Sequence, residues 1–291
     1  MYLLVATILS LNPVFSDSCG YIAYYNQCNS AEEDYWKGNY AEALRKTQAA
    51  FGLVPYVHTR QLLLGARIAA RNNDDKLTYR YLKQAFLEGI KDTEVAEYDD
   101  FGEFRKSRLY KKLEGEYPKL HGEYESHINT EFSDQLDSLY YIDQYISRKS
   151  ESPSERVYAV NAELYKGKNL DSLIFASLRG LIDMYGFPSE RTVRRKSLQA
   201  AYVILHHNVR LTVNEVYLQR LKGLLEVGLY NPFWYAWAYD QNLMFFRKKK
   251  CEFYCGVPID RNKLDGAELI RVDDKRREIG LESLALERLR E

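Results

Sequence analysis

Glycine, proline and methionine are scarce in this chain, with 16, 7 and 3 residues among 291. Such a sequence is neither collagen-like nor a loop-rich low-complexity polymer, and long stretches can run as uninterrupted helix. Convincing alternation of apolar and polar residues is also missing, while apolar residues recur at steps of three and four, so the fold class is all-α. Net charge is absent as well: Lys plus Arg and Asp plus Glu both number 41. No global field draws the protein to a polyanion, and a nucleic-acid partner is not expected. The basic clusters Arg194 to Lys196 and Arg247 to Lys250 are short, lie in helical patterns and fit solvated faces. There is no glycine-rich phosphate loop, no GxSxG elbow, no HExxH and no EF-hand loop. Neither a cofactor nor a metal is therefore expected.

Cysteine is sparse too, with four residues in two local pairs. The chain opens MYLLVATILSLNPVFSDSCG, an apolar run of signal-peptide length followed by small and polar residues. It lacks a Lys or Arg near its start, and a buried first helix is the alternative, against which Pro13 and the turn to Ser16, Asp17 and Gly20 argue. Residues 1–18 are read as a leader, with cleavage before Asp17 or Cys19, and the protein as exported to the periplasm or cell envelope. Membrane contact would follow only from lipidation of Cys19. In an oxidising compartment Cys19 would pair with Cys28, and Cys251 with Cys255. Zinc is the rival, but spacings of eight and three residues with more than two hundred between form no zinc-knuckle pattern.

Residues 19–120 contain a repeat. AEEDYWKGNYAEALRKTQAAF (Ala31 to Phe51) is followed by RQLLLGARIAARNNDDKLTYRYLKQAF (Arg60 to Phe86), and Phe51 and Phe86 lie 35 residues apart, as do Asn39 and Asp74. Two amphipathic helices joined by a Gly-Asn or Asn-Asp turn at that period resemble the tetratricopeptide repeat. Asn29 or Ser30 is placed to cap the first helix, and Pro55 fits the break between units. Glu97 to Tyr117 reads as a degenerate terminal repeat, and Pro118 and Gly122 place a boundary near residue 120.

Residues 121–260 read as a helical bundle domain, with a long helix from about Ser126 and further helices over Leu170 to Tyr185, Thr192 to Asn208, Val213 to Val227 and Pro232 to Lys248. The segment 261–291 is a charged tail helix interrupted at Gly280, either docked or loosely attached.

A helical wheel finds polar groups on apolar faces. Asp143 falls in the stripe of Phe132, Leu136, Leu139, Tyr140 and Ile146, and Asp240 in that of Phe233, Ala236, Trp237, Leu243 and Met244. A carboxylate in such surroundings must gain hydrogen bonds, a cation or a proton. Either each belongs to a structural network, for which 25 tyrosines supply donors, or both face one pocket as acid and base. His206 and His207 are adjacent, so they point about 100 degrees apart and cannot chelate one metal as an i, i+4 pair would. The wheel puts His206 on the polar flank and His207 toward the interior, so His207 is the candidate, though a core histidine is the plainer alternative. The run Tyr230 to Tyr239 could stack on a sugar through Trp237, but its aromatics follow helical spacing and fit a core stripe.

The stretch Tyr140 to Gly256 resembles a bacterial domain family of unknown function, often found behind tetratricopeptide-like repeats in exported proteins. The family pattern runs DQxxR, a G-W/F-P turn, a helix ending in QH, a helix carrying an Asp and a Tyr-Gly segment. Asp143 and Gln144 match the first element, Gly186, Phe187 and Pro188 the turn, His207 the helix end, and Asp240 and Tyr254 the last two. The sequence departs from that pattern at Ser147, His206, Gln241 and Cys255. The resemblance implies an architecture and a set of positions, and no chemistry.

Two functions remain in view. An exported helical-repeat protein would present its repeat surface to a protein or peptide partner. Alternatively, a hydrolase would use Asp143, His207 and Asp240, with Gln144 and Tyr254 orienting substrate. A carbohydrate-binding role for the Trp and Tyr cluster is a third reading.

Overall fold

The computed structural model describes residues 20–148, 170–207, 215–254 and 264–290. The expected leader and the polar segment 151–169 lie outside these residues. The described residues form thirteen α-helices and no strand, so the chain is all-α. They belong to two compact units, one built from 18–127, 225–228 and 252–291, the other from 128–224 and 229–251.

In the first unit, α1 (Tyr21–Trp36) packs on α2 (Tyr40–Phe51) and α3 (Thr59–Arg71) on α4 (Asp75–Leu87), with α2 touching α3. The two turns are alike. Gly38 and Asn73 both adopt left-handed backbone, with φ of 80° and 57°, and Asn is among the few residues that do so cheaply. Asp74 then caps α4 by accepting a hydrogen bond from the amide of Leu77 at 2.9 Å. Leu62, Ala66, Ile68 and Ala69 of α3 are completely buried between their neighbours. This arrangement is consistent with a helical-repeat fold.

The stretch after α4 differs from the expected third repeat. A short α5 (Asp92–Ala96) leads through single 3-10 turns at Asp99–Phe101 and Phe104–Lys106 into α6 (Arg108–His127). This helix runs straight through Pro118 and Gly122, because Leu113, Leu120 and Tyr124 keep one side buried along its length. Burial outweighs the one amide that proline removes, and the division between units falls after His127 rather than near residue 120.

The tail is docked. Helices α12 (Gly266–Glu278) and α13 (Leu284–Leu289) both pack against α1. Asn26 and Asn29 of α1 donate side-chain hydrogen bonds to the carbonyls of Arg277 (2.9 Å) and Gly280 (3.1 Å). Glu32 pairs with Arg290, and Arg60 of α3 with both Glu32 and Glu282. Fully buried Arg276 ties the segment together, pairing with Glu287 and donating at 2.7 Å to the carbonyl of Phe253. The outward face of α1 is thus covered by the protein's own C-terminal segment.

In the second unit, α9 (Arg195–His207) touches α7 (Thr130–Arg148), α8 (Leu170–Tyr185) and α11 (Pro232–Gln241), while α10 (Glu215–Glu226) completes the set. Asn129 caps α7 through the amide of Phe132, and Asn231 caps α11 through that of Phe233, with proline at the first helical position. A single π-helical turn, Asn242–Phe246, extends α11. A small apolar cavity is lined by Leu178, Ile182, Leu205 and Tyr217, and the Tyr217 hydroxyl and Arg179 Nε are buried with no hydrogen-bond partner among the described residues.

Candidate functional site

Helices α7 and α9 lie side by side, and a polar contact crosses between them. Asp143, only 4% exposed, faces α9 as its place among Phe132 and Leu136 requires. His207 Nδ1 lies 2.7 Å from Asp143 Oδ2. With the carboxylate ionised, Nδ1 must carry the proton and donate it, which leaves Nε2 as the basic nitrogen. Gln144 Nε2 donates to the same Oδ2 at 3.0 Å. Asp143 therefore receives two donors, the compensation a buried carboxylate needs. The His207 side chain is 36% exposed, so the ring bridges a buried anchor and the surface. This arrangement fixes the tautomer and orientation of an imidazole, as a positioned general base requires.

The histidine pair sits the other way round from the wheel's prediction. His206 is buried, at 6% exposure, and His207 is the exposed member. The wheel allowed α9 one buried face, whereas the helix packs on three neighbours and buries Ser197, Leu198, Ala200, Ala201, Tyr202, Ile204 and Leu205 as well. The flank carrying His206 is covered by α11. The His206 ring lies 3.9 Å from that of Trp237 and 5.9 Å from that of Trp234. His206 Nδ1 and Trp237 Nε1 are both buried without a hydrogen-bond partner among the described residues. Burial, aided by the neighbouring His207, pushes His206 down to about 4, so it is neutral at ordinary pH. The apolar content of α9 on more than one side was the signal in the sequence that a second neighbour covers this flank.

Helix α11 is apolar nearly all round. Tyr235, Ala236 and Ala238 are buried, whereas Phe233, expected on the buried stripe, is 39% exposed. Trp234 and Trp237 stack at 5.1 Å between centroids, and Phe233 meets both edge-on at 5.7 Å. A continuous aromatic layer thus runs from the two histidines to an exposed phenylalanine. Asp240 is fully buried, as its position on the apolar stripe predicts, and its charge acts on Cys251. The dyad itself consists of Asp143 and His207, with Gln144 beside them. Tyr254 belongs to the repeat-side unit, where its hydroxyl donates to Glu268 at 3.0 Å.

No disulfide is present among the described residues. Cys28 and Cys251 are buried free thiols, and Cys19 and Cys255 lie outside the described residues. Burial pushes the Cys28 thiol up to about 12. Burial, with Asp240 nearby, does the same for Cys251.

Among the described residues no group of three or more His, Cys, Asp or Glu could hold a metal ion, and no helix is long and apolar enough to cross a membrane. No family model, curated protein or solved structure matches the chain.

Proposed function

We propose that the second unit is a catalytic module of hydrolase type, in which His207 acts as general base and Asp143 holds its ring. The observation that carries this reading is the 2.7 Å contact between a buried carboxylate and a histidine whose ring reaches the surface. In the reaction, His207 Nε2 would take a proton from water as it attacks an electrophilic carbonyl or phosphoryl centre, then return it to the leaving group. Asp143 stabilises the imidazolium formed between these steps, and Gln144 holds the carboxylate in register. The aromatic layer of Phe233, Trp234 and Trp237 would supply an apolar platform for the non-reacting part of the substrate.

The bundle is also read as a divergent relative of the bacterial family of unknown function that it resembles, carried on a tetratricopeptide-like repeat domain and exported by its leader. Support comes from two separated elements of that pattern, the DQ pair and the helix-ending histidine, whose side chains meet in one hydrogen-bonded group.

The interaction reading keeps one specific support, the paired helices of the first unit. A peptide laid on the outward face of α1 would have to displace α12 and α13, which already bond to Asn26, Asn29 and Glu32. A partner surface therefore has to be sought elsewhere on that unit.

The test is hydrolysis of chromogenic esters, phosphodiesters and glycosides by the purified full chain beside His207→Gln. Turnover that His207→Gln abolishes supports the reading. A panel without turnover, or with turnover indifferent to the substitution, overturns it.

A further inference from the structure

The repeat-side unit has a cleft unconnected with the dyad. Its volume is about 240 Å³, and it opens between the end of α4, α5 and α6. That lies below the roughly 300–1,000 Å³ of sites for drug-sized ligands and suits one side chain. Phe86, Val95 and Leu113, each nearly inaccessible, form an apolar floor, and half-buried Tyr110 and Tyr117 flank it. The exposed carboxylates of Asp92 and Glu114 stand at its edge.

The charges that line it are of one sign. No Lys or Arg lines the cleft. Arg105 stands outside the lining and bonds to the Tyr110 hydroxyl, while its Nη2 donates to the carbonyls of Val95, Ala96 and Tyr98 at 2.9 to 3.1 Å. Glu114 makes no ion pair among the described residues, while Asp92 Oδ1 accepts a local amide bond from Thr93 and the Asp92 carboxylate also accepts from the Tyr117 hydroxyl at the cleft's flank. An apolar floor, aromatic flanks and acidic lips complement a long aliphatic stem that ends in a cation.

We propose that this cleft binds a lysine side chain of a partner protein. The four-carbon stem lies on Phe86, Val95 and Leu113, the ammonium reaches Asp92 and Glu114, and the tyrosine rings flank the stem. A compact ammonium with three donors can be shared between two separate carboxylates, whereas a guanidinium fork favours one carboxylate held bidentately.

The test uses the full chain labelled at its Val and Leu methyl groups, with Val95 and Leu113 as reporters in an NMR titration. The probes are n-butylammonium, n-butanol and butyrate, which share the stem and differ in charge. The expected result is saturable shifts at both methyls with n-butylammonium binding at least threefold tighter than n-butanol and butyrate weakest. That preference should disappear in Asp92→Asn/Glu114→Gln, whose remaining methyl spectrum reports an intact fold. A preference below threefold, a preference for butyrate, absence of shifts at Val95 and Leu113, or a preference that survives the double substitution would each overturn the proposal.

Discussion

Nδ1 of His207 and Oδ2 of Asp143 lie 2.7 Å apart across the α7–α9 interface, one residue 36% exposed at its side chain and the other all but closed to solvent. Removing either end should have a different consequence. His207→Gln deletes the base, and turnover should fall by about two to four orders of magnitude, the usual worth of positioned acid–base catalysis. Asp143→Asn keeps the shape but can offer Nδ2–H where an acceptor was needed, which favours the opposite tautomer. Steady-state rates on any substrate found for the full chain should show both losses, with KM changed much less than kcat.

Acid should loosen the second unit through His206. Its ring is held down at about 4 in the folded protein, against about 6.5 when exposed. Between those values the unfolded chain binds the proton and the folded chain does not, so stability is full above about 6.5 and declines as pH falls toward 4. The full difference is about 3 kcal/mol if His206 alone contributes. Urea midpoints measured from pH 7 to pH 4.5 should fall in the wild type, and His206→Phe should flatten that part of the profile.

Gly280 turns the chain between α12 and α13 with φ of +73°, and a Cβ there would stand 2.7 Å from the Cβ of Tyr25. Left-handed backbone costs a substituted residue about 1–2 kcal/mol before any overlap is counted. Gly280→Ala should therefore destabilise the first unit by at least about 2 kcal/mol once the contact is included. Hydrogen exchange should locate the loss at α1, α12 and α13.

Tyr217 invites a change in the opposite direction. Its hydroxyl is buried with no hydrogen-bond partner among the described residues, and a stranded donor costs about 1–3 kcal/mol. Tyr217→Phe should leave stability equal or raise it by about 1 kcal/mol. A loss above that size in chemical denaturation would show that the hydroxyl is bonded in solution.

Much of this all-α architecture was legible in apolar steps of three and four. Leu170–Tyr185 forms a helix with the bounds its periodicity predicts, and the buried carboxylates of Asp143 and Asp240 were visible as polar letters in apolar stripes. A wheel treats one helix against one neighbour, and it misplaced His206 and Phe233 where a helix packs on several partners or reaches the surface. Which carboxylate meets which histidine depends on contacts across 64 residues of chain, and no local pattern carries that. The thiols illustrate a different limit. Spacing along the chain suggested partners for Cys28 and Cys251, whereas both are buried free thiols among the described residues.

The bonds from Asn26, Asn29 and Glu32 to residues 277–290 also set an order of events during synthesis. Helix α1 leaves the ribosome early, with Tyr25 and the polar residues of its outer face still without their partners, and more than two hundred residues follow before α12 can reach it. At about 5–20 residues per second, that face stays open for some 10 to 50 seconds. The amides and carboxylate placed there keep it wet and soluble over that interval, and the same groups then become the latch. A nascent chain stalled before residue 264 should consequently bind chaperones or partners through α1 that the finished protein refuses.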